Sequence, residues 1–165
     1  MELTQELLQS LFTYDKDTGE LRFKYARGCR KANSLAGTFH DGYLRTKINK
    51  NNYMVHRLIW FMNYGFIDAK KHIDHINHNK LDNRLINLRL VEENINHKNK
   101  PMQKNNTSGY CGVYFNKKSN AWFTSIPLNG KNKYLGAFKD KEDAIKCRKE
   151  AEIKYNYHPN HGKTL

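Results

Sequence analysis

The spacing of apolar residues changes character several times along this chain, and each change predicts an element. Leu7, Leu8, Leu11 and Phe12 fall on one side of a short helix that Thr4 is placed to cap. The following YDKDTGELRFK holds an Asp-Thr-Gly turn ahead of Leu21 and Phe23, which predicts a strand. Residues 37–40, 43–48 and 53–55 read as further strands, separated by turns near Asp41-Gly42 and over 49–52. HRLIWFMNY, residues 56–64, is apolar on several faces and predicts a buried helix.

Past this helix, residues 71–75 predict a strand, the asparagine-rich run 77–85 a loop, 87–91 a second strand and 92–99 a helix. KNKPMQKNN, residues 98–106, is polar and basic, and Pro101 interrupts it, so it reads as a linker. Residues 108–115, 121–127 and 133–138 read as three strands with Asn129-Gly130 as a hairpin turn, and 140–155 as a helix that Asp140 would cap. The expected fold class is α+β. A small β-rich N-terminal platform covers 1–52, a strand-strand-helix unit 53–100, a basic linker 101–107, and a three-stranded antiparallel sheet plus one helix 108–165.

Charge narrows the class of partner. Lys+Arg 29 against Asp+Glu 16 gives +13 over 165 residues, and a balance so basic points to a polyanion, of which nucleic acid is the commonest. No apolar run approaches the ~20 residues of a membrane span. Glu2 and Glu6 come early with no long apolar stretch near them, unlike a signal peptide. The expectation is a cytoplasmic protein with no membrane partner. Cys29, Cys111 and Cys147 are odd in number and far apart, which argues against a disulfide framework or a zinc knot.

The candidate chemistry lies in residues 73–100. The Asp74 carboxylate and the Asn96 amide oxygen are hard donors that suit one divalent ion, Mg²⁺ or Mn²⁺ first and Zn²⁺ second. His75, with an ordinary pKa of roughly 6.5, can take a proton from water at neutral pH. Neighbours on a strand point to opposite faces, so for Asp74 and His75 to serve one site the strand must end or bulge there. His72, His78 and His97 read as solvated or supporting histidines, with His97 the rival of Asn96 for the cation.

IDHINHNKLDNRLINLRLVEENINHKNK, with DNRLINLR at 82–89, resembles the HNH nucleases of the ββα-metal type, in their phage and intron-encoded group, over about 53–100. The resemblance implies that His75 is the general base and that Asp74 and Asn96 share the metal. It implies that Asn87 pins the loop carrying the base. It further implies hydrolysis that leaves a 5′ phosphate and a 3′ hydroxyl. One active site cuts one strand, so a monomer is expected to nick double-stranded DNA. The implied setting is a phage-encoded homing endonuclease in a bacterial host cytoplasm.

GVYFNKKSNAWFTSI and KYLGAFKDKEDAIKCRKEAEIKY resemble the AP-two or ethylene-response-factor DNA-binding domain, whose sheet lies in the major groove. The resemblance places Tyr114, Asn116, Ser125 and Tyr134 on the DNA face and Lys117, Lys118, Lys131 and Lys133 near phosphates. It turns Val113, Trp122, Ile126 and Leu135 toward the helix. Arg84, Lys98 and Lys100 complete the expected DNA contacts. The strand arginines that read guanine in that family are largely absent, with Tyr114 and Asn116 in their approximate places, and Asn116 would favour adenine. Two rivals stand beside this reading: a non-catalytic DNA-binding regulator, and an RNA-binding protein that stacks exposed aromatics on unpaired bases.

Overall fold

The computed structural model describes residues 3–92, 98–128 and 130–163, and the chain divides into two compact units, Met1–Glu93 and Asn94–Leu165. α and β elements are mixed, with three helices among the described residues.

In the first unit, α1 (Gln5–Leu11) starts where the Thr4 hydroxyl accepts from the Leu7 N–H. β1 (Phe12–Tyr14) and β2 (Leu21–Phe23) pair antiparallel around a turn in which the Asp15 carboxylate accepts from the Asp17 and Thr18 N–H groups. β3 (Thr38–His40), β4 (Tyr43–Ile48) and β5 (Asn51–Met54) form an antiparallel meander. Its turns hold Asp41-Gly42 and Asn49-Lys50 with positive φ, the backbone that two-residue hairpins favour. α2 (Val55–Tyr64) stops at Gly65, whose φ of 71° suits a helix end.

α2 is the spine of the core, burying Val55, Leu58, Ile59 and Met62 against Leu8, Phe12, Leu21 and Ile48. β6 (Lys71–His75) and β7 (Leu88–Glu92) pair antiparallel, and Ile73 and Leu88 join that core. The second strand of this hairpin begins one residue later than expected. Leu85–Asn87 is a 3-10 turn instead, because the Asn87 side chain is tied to the preceding loop.

In the second unit, β8 (Val113–Asn116), β9 (Ala121–Leu128) and β10 (Lys131–Phe138) form an antiparallel sheet in the order β10-β9-β8, and α3 (Lys141–Lys154) packs against it. β8 was expected from 108 but begins at Val113. The residues before it form turns, with Gly109 and Gly112 at positive φ and the Ser108 hydroxyl bonded to the Tyr110 carbonyl. A Cβ on Gly112 would come within 2.5 Å of the Ser125 carbonyl, so that approach needs glycine. Asp140 occupies the N-cap position of α3 without a side-chain capping bond, and Glu142 and Asp143 supply negative charge to the first turn.

The basic linker expected over 101–107 is anchored within the second unit. The Lys98 and Lys100 carbonyls accept from His158 N–H and Gly162 N–H at 3.1 and 2.9 Å, and Met102 N–H reaches the Lys163 carbonyl at 3.4 Å. Asn99 beside them is buried. The two compact units divide between Glu93 and Asn94, ahead of the boundary expected at Lys100. The helix expected over 92–99, with Asn96 and His97 on it, falls largely on 93–97, outside the described residues. Among the described residues, no helix is long and apolar enough to cross a membrane.

Candidate active site and nucleic-acid face

His75 is the last residue of β6. The register runs regularly through Asp74↔Arg89 and His75↔Leu88, so the two side chains leave on opposite faces at the end of the strand, with no bulge between them. The imidazole is buried, and its Nε2 lies 3.0 Å from the Asn83 Oδ1. An amide oxygen only accepts, so Nε2 carries the proton of the neutral ring and Nδ1 the basic lone pair. His56 meets the ring edge-on at 5.0 Å between centroids, and Tyr43 lies 6.0 Å away. Burial pushes His75 below the ordinary histidine value, against the opposing effects of the Asn83 hydrogen bond and of Asp74. Burial, followed by the charges of His75 and Arg57, takes His56 down to about 3.

The loop after His75 is held from several directions. The Asn87 Oδ1 accepts from Asn77 N–H at 3.0 Å, its Nδ2 donates to the Asp82 carbonyl at 2.8 Å, and its own carbonyl accepts from Ile76 N–H at 2.9 Å. Tyr14 donates its hydroxyl to the Asn83 carbonyl at 3.2 Å and accepts from Leu85 N–H at 3.0 Å. A Cβ on Gly19 would sit 2.5 Å from the Arg84 nitrogen, so the β1–β2 turn lies flat against the same loop. The N-terminal platform thus fixes Asn83, and Asn83 fixes the ring.

Asp74 receives both the Nε and the Nη2 of Arg89 on one oxygen, Oδ2, at 3.0 and 2.8 Å. Arg84, expected on DNA, makes a two-bond pair with Asp82 at 2.7 Å from each nitrogen while its side chain stays 44% exposed. That guanidinium holds the Asp82 carboxyl below the usual carboxylate range. No three His, Cys, Asp or Glu side chains gather as a metal cluster among the described residues. The expected donors are of another kind, one carboxylate and one amide oxygen. Asp74 is a hard oxygen donor of the kind that suits a divalent ion, on the strand face opposite His75 and bonded to Arg89, and Asn96 lies outside the described residues. His72 is exposed and His78 is buried with a φ of 66°.

In the second unit, the strand pairs sort the sheet into two faces. Val113↔Thr124 and Ile126↔Lys133 belong to the helix side, where Val113, Thr124 and Ile126 are buried. Tyr114↔Phe123 and Ser125↔Tyr134 belong to the open side. Trp122 pairs with Phe115 and Phe138 on the helix side, and Leu135 sits at the bulge between Tyr134 and Gly136.

Two of the expected phosphate contacts are placed differently. Lys133 lies on the helix side and donates to the Tyr155 hydroxyl at 3.0 Å, and Lys131 pairs with Leu128 on that side. Lys98 donates to the Tyr155 carbonyl at 2.8 Å, whereas Lys100, Lys117 and Lys118 are exposed. The Asn116 Oδ1 is engaged by Lys118 N–H at 2.9 Å, so it shapes the turn rather than reaching outward.

Sequence reasoning took His56 as a structural residue bracing the first strand of the hairpin, and missed Asn83, Tyr43, Tyr14 and Arg89 around His75 and Phe123 on the open face. Tyr43 and His56 stand far from the motif in sequence and meet His75 only through the fold. Phe123 carried a usable signal: it alternates with Trp122 and Thr124, so one of its strand neighbours facing the helix puts it on the open side.

Residues 53–98 match the family model described as HNH endonuclease. Protein 3.8 of Escherichia phage T7 is 36% identical over 76 residues, which are 46% of this chain. The chain spans 63% of that relative's length. A solved structure titled "DNA binding and cleavage by the HNH homing endonuclease I-HmuI" is similar with a TM-score of 0.46 at 19% identity, covering 97% of this chain and 95% of that one.

Proposed function

We propose that this chain is an HNH-type DNA endonuclease that hydrolyses one phosphodiester bond of double-stranded DNA and so nicks it, with the sheet of the second unit positioning it on the target. One observation carries the reading: a neutral, oriented histidine closes a strand inside the segment that matches the HNH endonuclease family. His75 acts as the base. Its Nδ1 takes the proton of an attacking water, a step worth about 10²- to 10⁴-fold, and only 5% exposure suits contact with a small molecule such as water. Asn83 keeps the opposite nitrogen occupied, and Asn87 holds the two ends of the loop between them.

Asp74 and Asn96 are the proposed ligands of one divalent ion, Mg²⁺ or Mn²⁺ before Zn²⁺, which when bound would stabilise charge on the phosphate and the departing 3′ oxygen. Arg84, Lys100, Lys117 and Lys118 are the proposed phosphate contacts that remain exposed. The chain works as a monomer. The proposed setting is a phage-encoded homing endonuclease in a bacterial host cytoplasm, of which the phage relative supports the phage origin alone.

Conversion of supercoiled plasmid tests this reading, with wild type beside His75→Ala in Mg²⁺, Mn²⁺, Zn²⁺ and EDTA. Open circles that need the metal and vanish in the variant are the expected result. Binding without any cutting would shift the reading to a DNA-binding regulator.

A further inference from the structure

The open face of the C-terminal sheet has an unusual composition. Strand alternation puts Tyr114 and Asn116 of β8, Ala121, Phe123, Ser125 and Pro127 of β9, and Asn132, Tyr134 and Ala137 of β10 on it. Among the described residues, no charged side chain points from a strand into that face. Lysines lie at one end instead, Lys117 and Lys118 on the β8–β9 turn.

Tyr114, Phe123 and Tyr134 run across the three strands as one aromatic row. Phe123, on the central strand, has Tyr114 stacked at 5.8 Å and 28° on one side and Tyr134 at 5.7 Å on the other. Phe123 therefore has an aromatic ring on either side of it along the row. Tyr114 and Tyr134 are 49% and 56% exposed, so the row is held in place without being covered.

Resting on the reading of this unit as a duplex-DNA module, we propose that the aromatic row recognises thymine methyl groups in the major groove, so that the target is rich in A·T pairs. Each base pair offers donors and acceptors in that groove, and the thymine C5-methyl is the one apolar group among them. Guanine is read by arginine or lysine, and this face has neither. Adenine is read by the two ends of an asparagine or glutamine amide; the oxygen of Asn116 is engaged by its own turn, and Asn132 lies toward the hairpin end of β10, beyond the aromatic row. The aromatic row and the Ala121 and Ala137 methyls form the apolar surface of this face, and that surface complements a methyl group.

The groove is about 12 Å wide, and three strands roughly 4.8 Å apart fit it. The uncharged centre with Lys117 and Lys118 on the turn at one end matches bases in the middle and phosphate at that rim.

The test measures binding of the full chain in EDTA at fixed salt to one duplex sequence made in two forms, with thymine and with deoxyuridine, which lacks only the methyl. The thymine form should bind tighter, by roughly four-fold for each methyl buried. A G·C duplex should gain affinity when its cytosines carry a 5-methyl group, and Phe123→Ala should erase both differences.

Equal affinity for the thymine and deoxyuridine duplexes would overturn the proposal while leaving the duplex nuclease reading in place. Tighter binding of single-stranded oligothymidine than of any duplex would overturn it in favour of stacking. Failure to bind any duplex would overturn it together with the reading on which it rests.

Discussion

Asn83, on the loop after β6, accepts a 3.0 Å hydrogen bond from the Nε2 of His75, and it is itself only 1% exposed. A buried amide oxygen aimed at a buried ring nitrogen selects one tautomer of that ring. Asn83→Leu removes the acceptor, leaves the His75 N–H without this partner, and should lower stability by about 1–3 kcal/mol. Nicking should fall by at least ten-fold, because the lone pair is no longer held on Nδ1. Thermal melts separate the two effects. A folded Asn83→Leu protein that nicks at the wild-type rate would remove the positioning role of Asn83.

The strand, loop and strand around His75 were legible because Ile73, Leu88 and Leu90 alternate with polar residues and the asparagines mark the turn. The helix α2 and the three C-terminal strands were legible for the same reason, periodicity. The surroundings of the base were not. Tyr14, Tyr43 and His56 come from β1, β4 and α2, and only long-range packing brings them to His75 and its loop. The expected linker misled because its carbonyls are satisfied by the C-terminal residues 158–163, a pairing that polar composition does not reveal. Lys133 misled because its position was carried over from a resemblance, whereas its pairing with Ile126 places it on the helix side.

Arg89 bears on the proposed metal site. Its guanidinium donates twice to the Asp74 Oδ2, so a cation approaching that carboxylate meets a fixed positive charge. Arg89→Gln removes the charge. The Mg²⁺ concentration for half-maximal nicking should fall. Titrating plasmid nicking against Mg²⁺ for both proteins checks this, and a higher requirement in the variant would show that Arg89 chiefly orients Asp74 for the ion.

His56 links stability to pH. Its folded value of about 3 lies below the ordinary 6.5, so the unfolded chain takes up the proton first as pH falls. The contribution of the neutral ring is whole above about pH 6.5 and is lost steadily toward about pH 3, at roughly 1.4 kcal/mol per pH unit. His75, lowered in the same direction, adds to that slope. His56→Phe keeps an aromatic ring against Tyr43 and His75 but cannot bind a proton. Urea unfolding at pH 7 and at pH 5 should show a smaller loss in His56→Phe than in wild type, and equal losses would place the acid sensitivity elsewhere.

Arg148 holds the second unit together from inside. It is 1% exposed on α3, donates to Glu152 at 2.8 Å and to the Ser125 carbonyl, and lies 5.2 Å from the Tyr157 ring centre. Its bond to β9 and the close approach of Gly112 to the same carbonyl join helix, central strand and the turn before β8 at one point. Arg148→Ala leaves Glu152 without its guanidinium, which should cost about 3–5 kcal/mol. A small sheet-and-helix unit has little stability to spare, so the C-terminal sheet should be largely unfolded in this variant. The first unit keeps its own core, Leu8 to Leu88, which does not include Arg148. Arg148→Ala should therefore lose tight duplex binding and keep weak metal-dependent nicking. Hydrogen exchange resolved along the chain would show protection lost over 113–154 and retained over 55–64. Loss of protection in both units together would mean that the two fold as one, and the division of labour between a cutting unit and a positioning unit would have to be abandoned.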